Sequence, residues 1–362
     1  QMMINMAMAF IQKKDYDSAE KEFESLMKAH PKYSMNYLTR GAMYIDKGDT
    51  VKALADYDKA IDMDPYYAPA YGNRAILYYQ QGEFEKALDD LNEALRLDTR
   101  ESGYYINRGL VRYQLNDLRG AMADYDQVIS IDSHNLIARF NRGLLRFQVG
   151  DNNRAIEDFD VVIEMEPDNY MAYYNRALLR SEIGDVNNAI QDFDQVLEMN
   201  PDNILIYFNR GLLKMEIKDY EGAYNDFSQS ISIYPDFVKA YLARAATSMD
   251  MRDYDAAEKD RYKAEEIMDR YRRMKDGDQN ALVDTTENFK RLIDINSRDD
   301  RMKDVINGRL QDRNVIIELQ DMFIVQYLSL DTLRKGKVQY FDKRIMKFNQ
   351  EHNYNPALTV SN

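Results

Sequence analysis

Several common chemistries are missing from this sequence of 362 residues. It contains no cysteine, which excludes disulfides, thiolate metal sites and cysteine nucleophiles. Only three histidines occur, His30, His134 and His352, and they are far apart in sequence. His30 and His134 lie near the ends of repeating segments, where a histidine suits a helix C-terminus. No apolar run approaches the roughly 18 residues of a membrane span. No phosphate loop of the G-x-x-x-x-G-K-[ST] type, no H-E-x-x-H pair and no G-x-S-x-G elbow is present. Positive charge is also short, with a formal net charge of −14. Nucleic-acid binding depends on Lys and Arg displacing counterions, so a basic or neutral polypeptide suits this chain better as a partner. The acidity also serves solubility. No signal peptide or lipidation motif precedes the first helical pattern, and a start at Gln1 reads as a processed or excised piece.

What is present is a period of 34 residues. Arg40, Arg74, Arg108, Arg142, Arg176, Arg210 and Arg244 follow it, as do Asp56, Asp90, Asp124, Asp158, Asp192, Asp226 and Asp260. Ala53, Ala87, Ala121, Ala155, Ala189, Ala223 and Ala257 form a third series. A period of this length means one supersecondary unit stacked repeatedly. Such a stack offers an extended surface rather than a closed pocket.

Residues 136–169 show the unit most clearly. Phe140, Leu144 and Phe147 give helical spacing over 137–150, and Ala155, Phe159, Val162 and Ile163 give a second helical stripe. Gly150 and Asp151 stop one helix and open the next. Glu166-Pro167 ends the second, because the residue before proline is pushed out of the helical region. Pro31, Pro65, Pro167, Pro201 and Pro235 share that terminal slot, while Thr99 and Ser133 replace it. Gly or Ala at 41, 75, 109, 143, 177, 211 and 245 is expected to face the small Ala that begins the second helix.

Tyr173, Ala177, Gly184, Ala189, Phe193 and Pro201 together resemble the tetratricopeptide repeat (TPR), in a style common in bacterial proteins. The resemblance implies a mainly α fold, a right-handed α-solenoid of helix–turn–helix units. About eight units cover 1–271, starting near 1, 34, 68, 102, 136, 170, 204 and 238. The first has Met6 and Glu22 in the Arg and Asp slots, and Met2, Met3, Met6 and Met8 stand unshielded. These features predict further repeats before Gln1 and possible self-association through an uncapped edge. Arg261 replaces an aromatic in the last unit, whose charged continuation to Arg273 reads as a cap. Residues 272–362 are expected to hold that capping helix and a small, incomplete α+β appendage. Its elements would be helices over 282–295 and 331–348, a hairpin over 315–328 and a short strand at 358–360.

The Arg and Asp series are expected to form a structural ion-pair ladder: Arg74, Arg108, Arg142, Arg176 and Arg210 with Asp90, Asp124, Asp158, Asp192 and Asp226. Whether an arginine meets its own unit's aspartate or the previous one stays open. A second basic row, Arg112, Arg146, Arg180 and Lys214, is expected to meet a second acidic row, Asp126, Asp160 and Asp194. Asp-x-Asp pairs that recur with the repeat suit helix-surface pairing better than a metal, which needs about six converging oxygens. No metal, cofactor or catalytic residue is expected.

Asn73, Asn107, Asn141, Asn175 and Asn209 precede the arginines. In long TPR superhelices, such as that of O-linked N-acetylglucosamine transferases, matching asparagines form an inner ladder that holds peptide backbone. The alternative is that they bridge or cap helices locally; Asn is a poor helix former and needs some reason to recur. By the same resemblance Tyr79, Tyr113, Phe140, Phe147, Tyr174 and Phe208 line the concave face, edged by Gln80, Gln114, Gln148, Glu182 and Glu216. Leu110, Leu144, Leu178 and Leu212 lie between, either as groove or as core. The basic slots of a chaperone-type carboxylate clamp hold hydrophobics here. The expected function is a non-catalytic scaffold binding an extended peptide or partner protein, with no nucleic acid and no direct membrane insertion. Rival readings are an assembly subunit that uses its ends and appendage, or an accessory region of a larger enzyme. Location is undetermined, leaning to the bacterial cell envelope over the cytoplasm.

Overall fold

A computed structural model describes residues 2–275. The expected appendage lies outside the described residues. Those described form sixteen helices. In the first half these are α1 (Met2–Gln12), α2 (Tyr16–Ala29), α3 (Ser34–Lys47), α4 (Thr50–Met63), α5 (Ala68–Gln80), α6 (Phe84–Leu97), α7 (Ser102–Gln114) and α8 (Leu118–Ile131). The second half holds α9 (Leu136–Gln148), α10 (Asn152–Met165), α11 (Tyr170–Glu182), α12 (Val186–Met199), α13 (Ile204–Glu216), α14 (Tyr220–Ile233), α15 (Val238–Asp250) and α16 (Tyr254–Lys275). Residues up to Ala138 belong to one compact unit and those from Arg139 to another. No helix among the described residues is long and apolar enough to cross a membrane.

Every odd-numbered helix pairs with the even-numbered helix that follows it. The turn between them is set by two residues. Gly150 takes φ +80°, and its amide donates to Phe147 O while the Asp151 amide reaches back to Arg146 O at 2.8 Å. That closes the first helix with a left-handed residue, as helix ends often do. Aspartate then opens the next helix. Asp49 Oδ1 accepts from the Lys52 amide, Asp117 Oδ1 from Gly120 and Asp219 Oδ1 from Gly222, satisfying amides that have no partner inside the helix. Four hairpins have no glycine at the turn. Lys14, Asn116, Lys218 and Arg252 adopt positive φ there instead.

The cores run between helices. In the first unit Phe23, Tyr57, Ala53, Leu38 and Leu77 are buried together, followed by Leu91, Leu95, Tyr104 and Val111. In the second unit Phe193, Val196, Leu178 and Leu213 form one cluster, and Phe208, Phe227, Phe237, Tyr241 and Ile267 another. Each large side chain so buried contributes about 1.5–3 kcal/mol.

The small residue of the first helix has a different neighbour from the one expected. A Cβ built on Gly41 would come within 2.5 Å of the Tyr57 ring, and one on Gly211 within 2.7 Å of the Phe227 ring. Glycine therefore makes room for the aromatic sixteen residues on, rather than for the small alanine of the second helix. The last pair departs from this, because Arg261 takes the aromatic slot and is exposed.

Candidate functional site

The ladder residues meet within their own hairpins. Arg74 Nε and Nη2 donate to the two carboxylate oxygens of Asp90 at 2.8 and 2.7 Å. Arg176 does the same to Asp192, Arg210 to Asp226 and Arg244 to Asp260. Arg108 pairs with Asp124 and Arg142 with Asp158, at closest distances of 2.6 and 2.5 Å. Two parallel hydrogen bonds to one carboxylate are the strong form of this contact.

The second rows pair differently from the expectation. Arg112, Arg146, Arg180 and Lys214 add a second cation to the same buried aspartates, Asp124, Asp158, Asp192 and Asp226. The second acidic row meets the next repeat's ladder arginine: Asp160 to Arg176 and Asp194 to Arg210, both at 2.6 Å. Helix geometry explains the exchange. Residues four apart lie one above the other on a helix, so Arg176 and Arg180 can share one carboxylate. Residues two apart point to opposite sides, so Asp192 turns to its own hairpin and Asp194 to the next.

Burial pushes the carboxyls of Asp56, Asp90 and Asp124 upward, against the pull of the arginines bound to them. Arg40 is held above its ordinary value by its hydrogen bonds to Asp56. Burial acts to lower Arg74, and its bonds to Asp90 and Asp58 outweigh that and raise it. Among the described residues no group of three or more His, Asp or Glu is arranged to hold a metal.

A further row escaped the sequence reading. The ring of Tyr71 lies under the Arg74 guanidinium at 5.7 Å, and Tyr105, Tyr173, Tyr207 and Tyr241 lie likewise under Arg108, Arg176, Arg210 and Arg244. The signal was a Tyr-x-x-Arg spacing repeated every 34 residues, broken only where Arg139 replaces tyrosine and approaches Asp158 at 3.8 Å.

The expected peptide-binding row divides in two. All five asparagines are buried, Asn141 and Asn209 with 0 % exposure. Asn175 Nδ2 donates to Met171 O one turn back in its own helix at 2.8 Å, and Thr39, in the same slot of an earlier repeat, does so to Met35 O. The local helix-bonding alternative thus describes Asn175, while Asn209 is buried with neither side-chain amide atom hydrogen-bonded. Phe140 and Phe208 are core as well, against Phe159 at 5.5 Å and against Phe227 and Phe237 at 5.6 and 5.0 Å. Leu110, Leu144, Leu178 and Leu212 are buried too. The structure leaves Tyr79 and Tyr113 half-buried in the first unit, and Phe147 and Tyr174 in the second. Gln80, Gln114, Gln148, Glu182 and Glu216 are exposed. Gln114 Nε2 donates to the Tyr79 hydroxyl at 3.3 Å, joining consecutive repeats.

Family models described as tetratricopeptide repeat or TPR repeat match residues 1–33, 41–82, 68–99, 102–135, 170–203 and 204–237. Together they span more than half of the sequence, and the chain belongs to the tetratricopeptide repeat family. Residues 136–165 and 238–275, outside those matches, fold into the same hairpin. No curated protein matches the chain. Among solved structures, a tetratricopeptide repeat protein from Parabacteroides merdae is 26% identical, with a TM-score of 0.48 over 68% of this chain and 97% of that one. YrrB, described as a TPR protein with an unusual peptide-binding site, is 21% identical, with a TM-score of 0.45 over 54% and 97%. MamA from Desulfovibrio magneticus is 19% identical, with a TM-score of 0.45 over 47% and 96%.

Proposed function

We propose that this member of the TPR family is a non-catalytic scaffold that holds an extended segment of a partner protein against the half-buried aromatics of a compact unit. The observation that carries this reading is the shared register, within the first compact unit, of Tyr79 and Tyr113 with the exposed amides of Gln80 and Gln114, one residue on in each case. Rings with an apolar body and a wet edge, beside groups that both donate and accept, suit a polypeptide surface. The ladder arginines contribute no binding charge, since their carboxylate partners lie within the protein. The asparagines are buried, so they are not assigned the binding role. This moves the binding role from the asparagine row to Tyr79 and Tyr113 in the first unit and to Phe147 and Tyr174 in the second.

The test is site-specific photocrosslinking in lysate of the source cells. A photoreactive residue at position 113 or 174 is expected to give discrete polypeptide adducts, while one at exposed Asp62 gives none. Adducts of equal yield at position 62, or none at 113 and 174, would overturn the proposal.

A further inference from the structure

A second surface lies on the even-numbered helices, apart from the aromatic row on the odd-numbered ones. Between α11 and α12 an open depression of about 510 Å³ is lined in part by Tyr173, Gln191, Gln195 and Glu198. The two arginines that also line it are already engaged. Arg176 binds Asp160 and Asp192, and Arg180 binds Asp192. One face of the Tyr173 ring is covered by the Arg176 guanidinium at 5.4 Å. Gln191 and the carboxylate of Glu198 are exposed. Gln195 Nε2 lies 3.4 Å from Glu198 Oε2.

The amides have a pattern. At the registers of Gln191 and Gln195, α14 carries Asn225 and Gln229, both exposed. The other even-numbered helices carry Lys21/Ser25, Ala55/Lys59, Asp89/Glu93, Ala123/Gln127, Glu157/Val161 and Lys259/Lys263 there. Among the described residues only α12 and α14 present an amide at both registers. The two helices are joined by Arg210, which bonds Asp194 of one and Asp226 of the other. Residues four apart on a helix stand about 5–6 Å apart. Alternate residues of an extended chain stand about 6.6 Å apart. Each glutamine can therefore meet every second peptide unit, as donor and as acceptor.

We infer that this face binds an extended basic peptide: Gln191 and Gln195 hydrogen-bond its backbone, Asn225 and Gln229 continue the track, and Glu198 takes a lysine or arginine side chain. Nucleic acid is disfavoured because the lining guanidiniums are already bound to carboxylates. The surface is distinct from the aromatic row and does not depend on it.

A random dodecapeptide library on phage, selected against the full chain, tests this, with affinities of the enriched peptides read by fluorescence anisotropy. Enriched sequences are expected to carry Lys or Arg. The Gln191→Ala, Gln195→Ala double variant should weaken them about ten-fold through the loss of two hydrogen bonds. Glu198→Gln should weaken basic peptides more than their Lys→Gln versions. Gln191 and Glu198 are exposed and Gln195 is half-buried, and an unchanged thermal midpoint would confirm that both variants fold. Enriched peptides that bind the double variant with parental affinity, or no enrichment of basic sequences, would overturn the inference. A loss confined to Tyr113→Ala would also overturn it, and would assign the binding to the aromatic row instead.

Discussion

Residues 34–101 and 139–237 use one hairpin but surround its buried carboxylate differently. In the first region the ladder arginine lies between two tyrosine rings. Arg40 is 5.8 and 5.7 Å from the Tyr37 and Tyr44 rings, and Arg74 is 5.7 and 5.8 Å from Tyr71 and Tyr78. In the second region a cation replaces the second ring, and Asp158, Asp192 and Asp226 each receive two or more basic groups. The rings packed against glycine differ as well: Tyr57 in the first region, Phe159 and Phe227 in the second. A repeat thus keeps its backbone while exchanging a neutral ring for a charge, provided the carboxylate stays shared. The second solution raises the stakes at one atom pair, because losing a partner strands more buried charge.

The largest test of this contrast removes the carboxylate. Asp158 is 1 % exposed and is approached by Arg139, Arg142 and Arg146. Asp158→Ala is expected to cost about 3–5 kcal/mol in urea unfolding. Asp56→Ala should cost less, about 1.5–3 kcal/mol, since Arg40 alone is stranded and keeps its tyrosine contacts. Equal losses at the two sites would remove the distinction, and parental stability of Asp158→Ala would refute a structural ladder.

Next in size is the ring–glycine contact. Gly41→Ala should destabilise by about 1–3 kcal/mol through overpacking against Tyr57, despite the better helix propensity of alanine. In a Tyr57→Leu background the penalty should vanish, since Ala75 and Leu91 coexist in the neighbouring repeat. The same penalty in both backgrounds would show that the ring is not the obstacle.

The turns should respond more modestly. Lys218 holds φ 65° where Gly184 holds φ 82° one repeat earlier. Lys218→Gly is expected to gain about 1 kcal/mol, because a left-handed conformation penalises any side chain. Gly184→Lys should lose a similar amount. A destabilised Lys218→Gly would mean that the lysine side chain makes a compensating contact.

An effect of similar size is pH-dependent and links Tyr44 of the first region to Glu20 of the preceding hairpin. The Tyr44 hydroxyl donates to Glu20 Oε1 at 2.6 Å and holds the Glu20 carboxyl below its ordinary value. A lowered folded-state pKa contributes stability above the unfolded value, and that contribution is lost as pH falls through the folded value. Tyr44→Phe should therefore cost roughly 1 kcal/mol near neutrality, and the gap should narrow in acid. A gap that is constant or widens on acidification would contradict this linkage.

Much of the hairpin could be read directly from residues. Gly150-Asp151 marked a turn, Glu166-Pro167 a helix end, and the period placed the helices that begin at Ser34, Ala68, Ser102, Leu136, Tyr170, Ile204 and Val238. The candidate site was less legible. Asn141 and Phe140 occupy neighbouring slots of α9, and their spacing gives an angle around the helix without revealing what stands opposite. The packed neighbour decides that, and here it buries both. The Tyr-x-x-Arg row was visible, yet its meaning required the guanidinium to be seen over the ring.

The chain's own periodicity determined that it is a stack of helical hairpins, because each unit repeats the same apolar stripe, turn residue and cap at fixed intervals. Only the tertiary structure decided which carboxylate each arginine meets, which glycine faces a ring, and that the asparagines lie inside while Gln191 stands outside. Local sequence sets backbone conformation through sterics and hydrogen bonds between near neighbours. Exposure and pairing depend on side chains brought together from a different helix, and no single repeat carries that information.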